Sequence, residues 1–213
     1  KGRIEYRTVR VPPSVTATTR DKQREESKER LFHAAIEIFR RDGFRAARVD
    51  DITFVAGLSR TSFYFHFPTK DDVLIELNRR LEEPVVRRLE ALDEAMPIAQ
   101  VLAEVAEQLA TQWREHRTLV IDAMTTGLRV EAERFREARQ GSLREALGKV
   151  FERSVKKGEV QTTRAPAMLG EAYLLNCLAA LTMWGSGAGE DDGLKTSLQS
   201  AGELFLRGAL NCS

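Results

Sequence analysis

Two short helical segments joined by three residues constrain the fold of this chain more than any other feature. The first segment starts at Asp50-Asp51, whose carboxylates suit the positive end of a helix dipole, and stops before Gly57. Gly57 tolerates a positive φ, and the Ser59 hydroxyl can accept a hydrogen bond from an unpaired amide of the second segment, 60–67. This spacing predicts a helix-turn-helix, which sets its second helix against the major groove of a DNA duplex.

The second of these helices has an unusually polar surface for a purely structural element. Its hydrogen-bonding residues are Arg60, Thr61, Ser62, Tyr64 and His66. Phe63 and Phe67 lie four residues apart and form an inward face. Polar side chains of this kind suit base edges and phosphate oxygens, so we interpret the segment as a DNA-recognition helix.

Charge is distributed unevenly along the chain of 213 residues. Residues 1–70 carry 15 Lys and Arg against 9 Asp and Glu, and the remainder carries 18 against 23. The two parts therefore have net charges of +6 and −5, although the whole chain is only +1. A cationic front part joined to an anionic rear part indicates that the front alone meets a polyanion such as nucleic acid, although basic N-terminal tails also occur without that role.

Helical periodicity continues along the rest of the chain and no segment shows convincing strand alternation, so we predict an all-α fold. The first helical pattern starts at Glu25 and stops at Asp42-Gly43. Later helices are predicted at about 70–95, 97–114, 117–128, 130–157, 165–185 and 191–210. Pro84 falls inside the fourth helical pattern and should kink or split it.

These patterns divide the chain into three parts. Residues 1–24 have no helical or strand period and carry seven Lys or Arg, which predicts a flexible basic arm. The arm would add phosphate contacts or reach a minor groove, or it is an ordinary frayed terminus. Residues 25–72 are expected to form the DNA-binding head, and residues 73–213 a larger helical body.

Other classes of function find little support in the sequence. The two cysteines form no C-x-x-C, so we expect neither a disulfide framework nor a thiolate zinc site, and a cytoplasmic location follows. His33, His66 and His116 form no metal-ligand pattern, and there is no phosphate loop or nucleophile elbow. The nearly uncharged stretch 172–188 is too weak for a membrane span. We therefore expect no enzyme activity, cofactor, metal or membrane partner.

The residues around the helix-turn-helix also resemble a known family. They are Gly43-Phe44, Val49-Asp50-Asp51-Ile52, Ala56-Gly57-Leu58-Ser59 and the run from Ser59 to Lys70, with Phe-Tyr, Phe-Pro and Lys at fixed offsets. This pattern is similar to the N-terminal signature of the TetR family of bacterial transcriptional regulators. The resemblance implies a homodimer, in which each subunit has a three-helix DNA-binding head and a helical body that binds a small molecule.

The resemblance also assigns roles to individual residues of the head. Thr61 and Ser62 match positions that contact bases or nearby phosphates. Tyr64 and His66 match aromatic positions that usually touch the DNA backbone. Lys70 matches the residue that grips a phosphate at the start of the fourth helix.

Three further residues of the head are candidates for DNA contact. Phe65 matches a position that commonly faces the groove, where an aromatic ring suits thymine methyl groups, and core packing is its alternative. Arg60 would pair with guanine or neutralise a phosphate. Arg48 departs from the hydroxyl residue common in the family and would add a cation, whereas Thr53, in place of a small alanine, puts the packing of the two helices in doubt.

The body is the more variable part of such proteins. In the family its last two helices usually pair as a four-helix dimer bundle, and the matching regions here are 165–184 and 191–210. Ligands bind among the middle helices, where the candidates are Trp113, Met124, Thr125, Phe151, Tyr173, Asn176, Met183 and Trp184. Most of them are apolar, which favours an elongated hydrophobic effector, and core packing is the alternative for each. Asn176 is the polar group expected to orient the ligand, because an unpaired buried amide would be costly.

These inferences predict a repressor that a small hydrophobic effector releases from a palindromic operator in double-stranded DNA. The fourth helix is the expected lever, because Lys70 lies on its DNA side while Leu74 and Leu77 pack toward the body. The alternative is an architectural helix-turn-helix dimer without a regulatory ligand.

Overall fold

The computed structural model describes residues 19–134, 142–187 and 193–210, and every regular element in these ranges is helical. The helices in chain order are α1 (Thr19–Asp42), α2 (Val49–Ala56), α3 (Arg60–His66), α4 (Lys70–Glu90), α5 (Ile98–Trp113), a 3₁₀ segment (Arg114–Leu119), α6 (Val120–Arg134), α7 (Leu143–Lys156), α8 (Pro166–Gly185) and α9 (Gly193–Leu210). The predicted all-α class is confirmed for the part of the chain that the structure describes.

The head is formed by α1, α2 and α3, which pack around one group of apolar side chains. Leu31, Ile38 and Phe39 of α1 are buried together with Ile52 of α2 and Phe63 of α3. These residues recur at the helical spacing seen in the sequence, which explains why the order and type of the three helices were predictable.

The turn between α2 and α3 has the predicted chemistry. Gly57 adopts a left-handed conformation with φ 61° and ψ 39°, which a residue with a Cβ adopts only at a cost. Ser59 Oγ accepts a hydrogen bond from the Ser62 amide at 3.1 Å, so it caps α3. Thr69 and Asp72 form a reciprocal capping box at the start of α4.

The first helix begins six residues before the predicted start at Glu25, because α1 already includes Thr19. Residues 19–24 are therefore helical rather than irregular. They contain Arg, Lys and Gln, which favour helix formation, but no apolar residue whose period would reveal it. The rest of the predicted arm, residues 1–18, lies outside the described residues.

Two predictions about the body differ from the structure. A break was expected near residue 129, but α6 continues to Arg134, and α7 starts only at Leu143. Ser142 accepts a hydrogen bond from the Glu145 amide and so caps α7, a Ser-x-x-Glu signal that the apolar period obscured. Of the two alternatives for Pro84, a split of α4 is wrong, because the helix runs from Lys70 to Glu90 with the proline inside it, and a kink stays a prediction.

The body is built around α8, which packs against α7 and α9 and buries Tyr173, Cys177 and Leu181. The backbones of α7 and α8 approach closely where Gly170 meets Gly148. A Cβ on Gly170 would lie 2.8 Å from the Gly148 nitrogen, so the contact requires a glycine at this position. By length and composition α8 is long and apolar enough to cross a membrane, which is weak evidence for a single helix, and 33% of its apolar stretch is buried within the subunit.

An ion-pair network joins α1 to α4, the helix that leaves the head for the body. The Glu76 carboxylate accepts hydrogen bonds from Lys28 of α1 at 3.2 Å and from Arg79 and Arg80 at 2.9 Å each. Arg80 also bonds Glu29 of α1 at 2.7 Å. Burial raises the pKa of Glu76, but the hydrogen bonds from both arginines and the Lys28 charge outweigh burial and lower it to about 2. The network therefore stabilises the ionised carboxylate only in the folded protein.

Replacement of Glu76 should make stability depend less on pH. Since the pKa of Glu76 in the folded protein lies below its ordinary value of 4.5, the carboxylate contributes fully to stability above pH 4.5 and loses this contribution as the pH falls toward 2. Glu76→Gln is expected to lower the free energy of unfolding at pH 7 by on the order of 2 kcal/mol, as measured by urea denaturation. The difference in free energy of unfolding between Glu76→Gln and the wild type should become smaller as the pH falls from 5 to 3.

The control for this experiment is Glu83→Gln, which removes a more exposed partner of Arg79 on the same helix. Exposed ion pairs contribute little, so this variant should remain close to the wild type at every pH. If the loss in free energy of unfolding for Glu76→Gln is the same at every pH, the lowered pKa of Glu76 in the folded protein is contradicted.

Candidate nucleic-acid interface and ligand region

The surface of α3 separates into an apolar side and an outward side. Phe63 is fully buried and Phe67, directly after the helix, is 2% exposed, as their spacing predicts. Thr61 is exposed, Tyr64 is 46% exposed and Phe65 is 62% exposed. The exposure of Phe65 excludes core packing, the alternative considered for this residue. A hydroxyl, a phenol and an aromatic ring thus lie on the outer surface of the head.

Two other polar residues of α3 already make hydrogen bonds within the head. Ser62 is half-buried, and its hydroxyl lies 3.0 Å from that of the capping Ser59. Arg60 Nη1 donates to the Asp50 carboxylate oxygens at 2.9 and 3.2 Å, linking α3 to α2. A hydrogen bond with Tyr64 and the Asp50 charge raise the pKa of Arg60. Arg60 is therefore oriented by neighbours on two helices.

Lys70 serves the structure of the head as well as its charge. Its ammonium donates to the carbonyl oxygens of Ala47 at 2.7 Å and Phe44 at 2.9 Å, and Arg45 O lies at 3.4 Å. These carbonyls belong to the loop between α1 and α2. Lys70 thus fixes that loop against the start of α4. Arg48, the last residue of the loop, is exposed directly before α2.

Thr53 does not disturb the packing of α2, although it was a source of doubt. Its side chain is buried, and its hydroxyl donates to the Asp50 carbonyl oxygen at 3.1 Å. The hydrogen bond satisfies a polar group that would otherwise be costly to bury.

The N-terminal part of α1 lies beside the end of α3, a contact that no local pattern predicts. The Arg24 guanidinium is 4.9 Å from the centre of the Phe65 ring. Burial, together with the charges of Arg24 and Lys28, lowers the pKa of His66, so its imidazole is neutral at physiological pH. Arg24 escaped detection because it falls in a segment without apolar period.

The eight predicted ligand residues fall into two groups. Trp113, Met124, Phe151, Tyr173 and Trp184 are buried, whereas Thr125, Asn176 and Met183 are exposed in the single chain. The expectation that Asn176 is a buried amide is wrong: the register that turns Tyr173 and Cys177 inward turns Asn176 outward. Its amide donates to the Ala172 carbonyl oxygen at 2.8 Å.

Three of the buried candidates, Phe151, Tyr173 and Trp184, lie in two places in the body. Phe151 and Tyr173 are neighbours, and both contact Phe205 of α9, with ring centres 5.7 to 6.4 Å apart. Tyr173 donates to the Leu102 carbonyl oxygen at 3.3 Å, and burial raises the pKa of its phenol. At the other end of α8 the Arg117 guanidinium lies 5.0 Å from the Trp184 ring.

Two surface concavities of about 570 and 440 Å³ lie along α1. The larger is lined by residues of α1 alone, and the smaller also by Val55, Ala56 and Gly57 at the end of α2. Neither contains a residue predicted to bind the effector.

Comparison with known proteins finds a sequence match for the head and a similar fold for nearly the whole chain. Residues 31–77 match the sequence model of a family described as bacterial regulatory proteins, tetR family. An uncharacterised HTH-type transcriptional regulator of Bacillus subtilis, YerO, is 23% identical over 115 residues, which are 53% of this chain and 40% of that relative. The chain therefore spans less than half the length of this curated relative.

Two solved structures resemble nearly the whole chain. Thermus thermophilus FadR, a TetR family transcriptional repressor in complex with lauroyl-CoA, is 24% identical, covers 87% of this chain and 96% of its own, and has a TM-score of 0.70. Bacillus subtilis FadR in complex with stearoyl-CoA is 20% identical, with coverages of 84% and 98% and a TM-score of 0.66. At these identities the likeness extends to the fold of head and body.

Proposed function

We propose that this chain, whose residues 31–77 match the sequence model of the tetR family of bacterial regulatory proteins, is a TetR-family repressor released from a palindromic operator by a small hydrophobic effector. The observation that carries the proposal is the outward side of α3. Its side chains offer polar and aromatic groups to a duplex, while two buried phenylalanines fix the orientation of the helix.

The proposed DNA contacts follow from this orientation. Thr61 and Ser62 near the start of α3 read base edges or nearby phosphates, and Phe65 contacts thymine methyl groups. Tyr64 and His66 contact the sugar-phosphate backbone. On the same side of the head, Arg48, Arg60 and Lys70 supply positive charge, and Arg24 extends this surface beyond the residues expected from the sequence.

Operator recognition is tested by selecting a binding sequence from random duplexes with the wild-type protein. Thr61→Ala should then lose preference at particular base pairs, by about 1–3 kcal/mol for a lost base contact, while affinity for random duplexes stays close to that of the wild type. Fluorescence anisotropy titrations at a fixed salt concentration measure both affinities.

Thr111→Ala is the matched control, because it removes the same hydroxyl from an exposed position on α5 in the body. It should bind every duplex like the wild type. A wild-type protein that binds all duplexes equally would contradict operator recognition.

We propose that α8 and α9 form the homodimer interface. In the single chain they leave large apolar side chains on the surface: Met168, Leu175 and Met183 of α8 are 54%, 52% and 67% exposed, and Leu204 of α9 is 69% exposed. An apolar surface of this kind marks an association site more often than bare solvent contact. Dimerisation would cover Asn176 and Met183 as well, which explains their exposure in one subunit.

Introducing a charge into this surface should separate the subunits. Leu175→Glu is expected to sediment as a monomer at micromolar concentration and to bind the operator at least about 10-fold more weakly, because two half-sites are no longer held by one particle. Thr111→Glu adds the same charge to α5 and should remain dimeric. A Leu175→Glu variant that sediments like the wild type would exclude this interface.

The proposed division at residues 72 and 73 lies within the first turn of α4, so this helix belongs to both head and body. Its Asn78 amide donates to the Ala123 carbonyl oxygen of α6 at 3.2 Å. The Thr126 hydroxyl of α6 donates to the Asp71 carboxylate at 3.2 Å. Movement of α6 would therefore move α4 and change the distance between the two heads of a dimer, which a palindromic operator fixes.

An effector with a long apolar chain suits the body best. Most of the predicted ligand residues are aromatic or aliphatic. Two proteins of similar fold are complexes with lauroyl-CoA and stearoyl-CoA, so fatty acyl thioesters are the first class to examine.

Thermal unfolding with and without lauroyl-CoA, with coenzyme A as the control, tests this class of effector. Binding to the native state at 100 times the dissociation constant adds about 2.7 kcal/mol of apparent stability. The same compound should release the operator in an anisotropy assay, whereas coenzyme A should not. If no acyl-CoA, fatty acid or other apolar compound changes stability or DNA binding, the architectural alternative is favoured.

A further inference from the structure

A carboxylate lies within the surface that is proposed to face DNA, although DNA is a polyanion. Asp50 belongs to the first turn of α2, and its side chain is 48% exposed. Repulsion from phosphates should disfavour an acid at this place. The dipole of α2 favours a carboxylate in its first turn, but the place of Asp50 beside α3 calls for a further reason.

The contacts of Asp50 supply that reason. Both of its carboxylate oxygens accept hydrogen bonds from Nη1 of Arg60, at 2.9 and 3.2 Å. Arg60 is the first residue of α3, where the positive end of the helix dipole disfavours a cation. The dipole of α3 therefore repels the guanidinium, and the Asp50 carboxylate attracts it.

We propose that Asp50 is a specificity-determining residue that holds Arg60 in an ion pair and so reduces binding to DNA other than the operator. The inference rests on the proposed DNA-binding function and adds a role for an acidic residue of α2. It also assigns Arg60 to phosphate contact, a choice that the sequence leaves open.

The mechanism depends on a difference between the complex with a random duplex and the complex with the operator. Binding to a random duplex is held mainly by contacts between cations and phosphates. In such a complex a phosphate must compete with the Asp50 carboxylate for Arg60, so that one ion pair only replaces another. In the operator complex, base contacts of α3 fix the register and place Arg60 against one phosphate, where directed hydrogen bonds favour the phosphate.

The prediction concerns the ratio of operator affinity to random-duplex affinity. Asp50→Asn keeps the size of the side chain but removes the charge that holds Arg60. Because exposed ion pairs are weak, affinity for random duplexes should rise about twofold to fivefold. The logarithmic salt slope for these duplexes should steepen by about 0.9, one additional phosphate contact. Operator affinity should rise less, so the ratio should fall.

Asp51→Asn is the matched control, because it removes the same charge from the same turn of α2. Asp51 lies near Arg41 rather than Arg60 in the charge network. This variant should raise affinity for operator and random duplexes by the same small factor and leave their ratio unchanged. Circular dichroism and urea denaturation of both variants establish that α2 and the head remain folded.

A second variant isolates the part played by Arg60. In the Asp50→Asn background, Arg60→Gln should abolish the gain in affinity for random duplexes and restore the shallower salt slope. Persistence of the gain without Arg60 would overturn the inference, because the effect would then come from the general field of the carboxylate.

The outcomes separate this inference from the proposed function. Operator preference in the wild type with equal ratios for Asp50→Asn and Asp51→Asn overturns the role of Asp50 alone. A wild type without any operator preference overturns DNA recognition itself, and the role of Asp50 with it. A lower ratio for Asp50→Asn only, reversed by Arg60→Gln, supports both.

Discussion

The packing of Phe63 and Phe67 under α3 is the interaction on which the rest of the structure depends. The two rings fill the space between the short helices and α1, and their burial fixes which side of α3 faces outward. A helix of seven residues has little stability of its own, so tertiary packing and the Ser59 cap must hold it. The proposed contacts of Thr61, Tyr64 and Phe65 with DNA all require this orientation. An apolar contact thus controls a polar function.

The second constraint is that the first half of α4 is anchored both to the head and to the body. In the head, Lys70 binds the carbonyl oxygens of the loop before α2, and Glu76 is held by cations of α1 and α4. In the body, Asn78 and Asp71 contact α6 through hydrogen bonds. Because these contacts are short-range and directional, α4 cannot shift relative to α6 without breaking them. The helix is therefore suited to transmit a change in the body to the spacing of the heads.

The faces of α8 divide the predicted ligand residues. Tyr173 and Trp184 face the interior, whereas Asn176 and Met183 face outward, although apolar residues surround all four along the sequence. A helix that is apolar on every side buries one face within the subunit and leaves the other for a partner. The sequence of such a helix does not tell which face is which, because the amphipathic signal is absent. This ambiguity caused the wrong expectation for Asn176.

The sequence alone determined the helical class, the turn at Gly57, the caps Ser59 and Thr69, and the inward position of Phe63 and Phe67. These features depend on local backbone preference and on apolar period, which neighbouring residues encode. Only the tertiary structure decided that Arg60 meets Asp50, that Lys70 closes the loop before α2 and that Arg24 lies against Phe65. Those contacts join residues 10 to 41 positions apart on different elements, and the distance between such residues is set by how the helices pack, which no local pattern records.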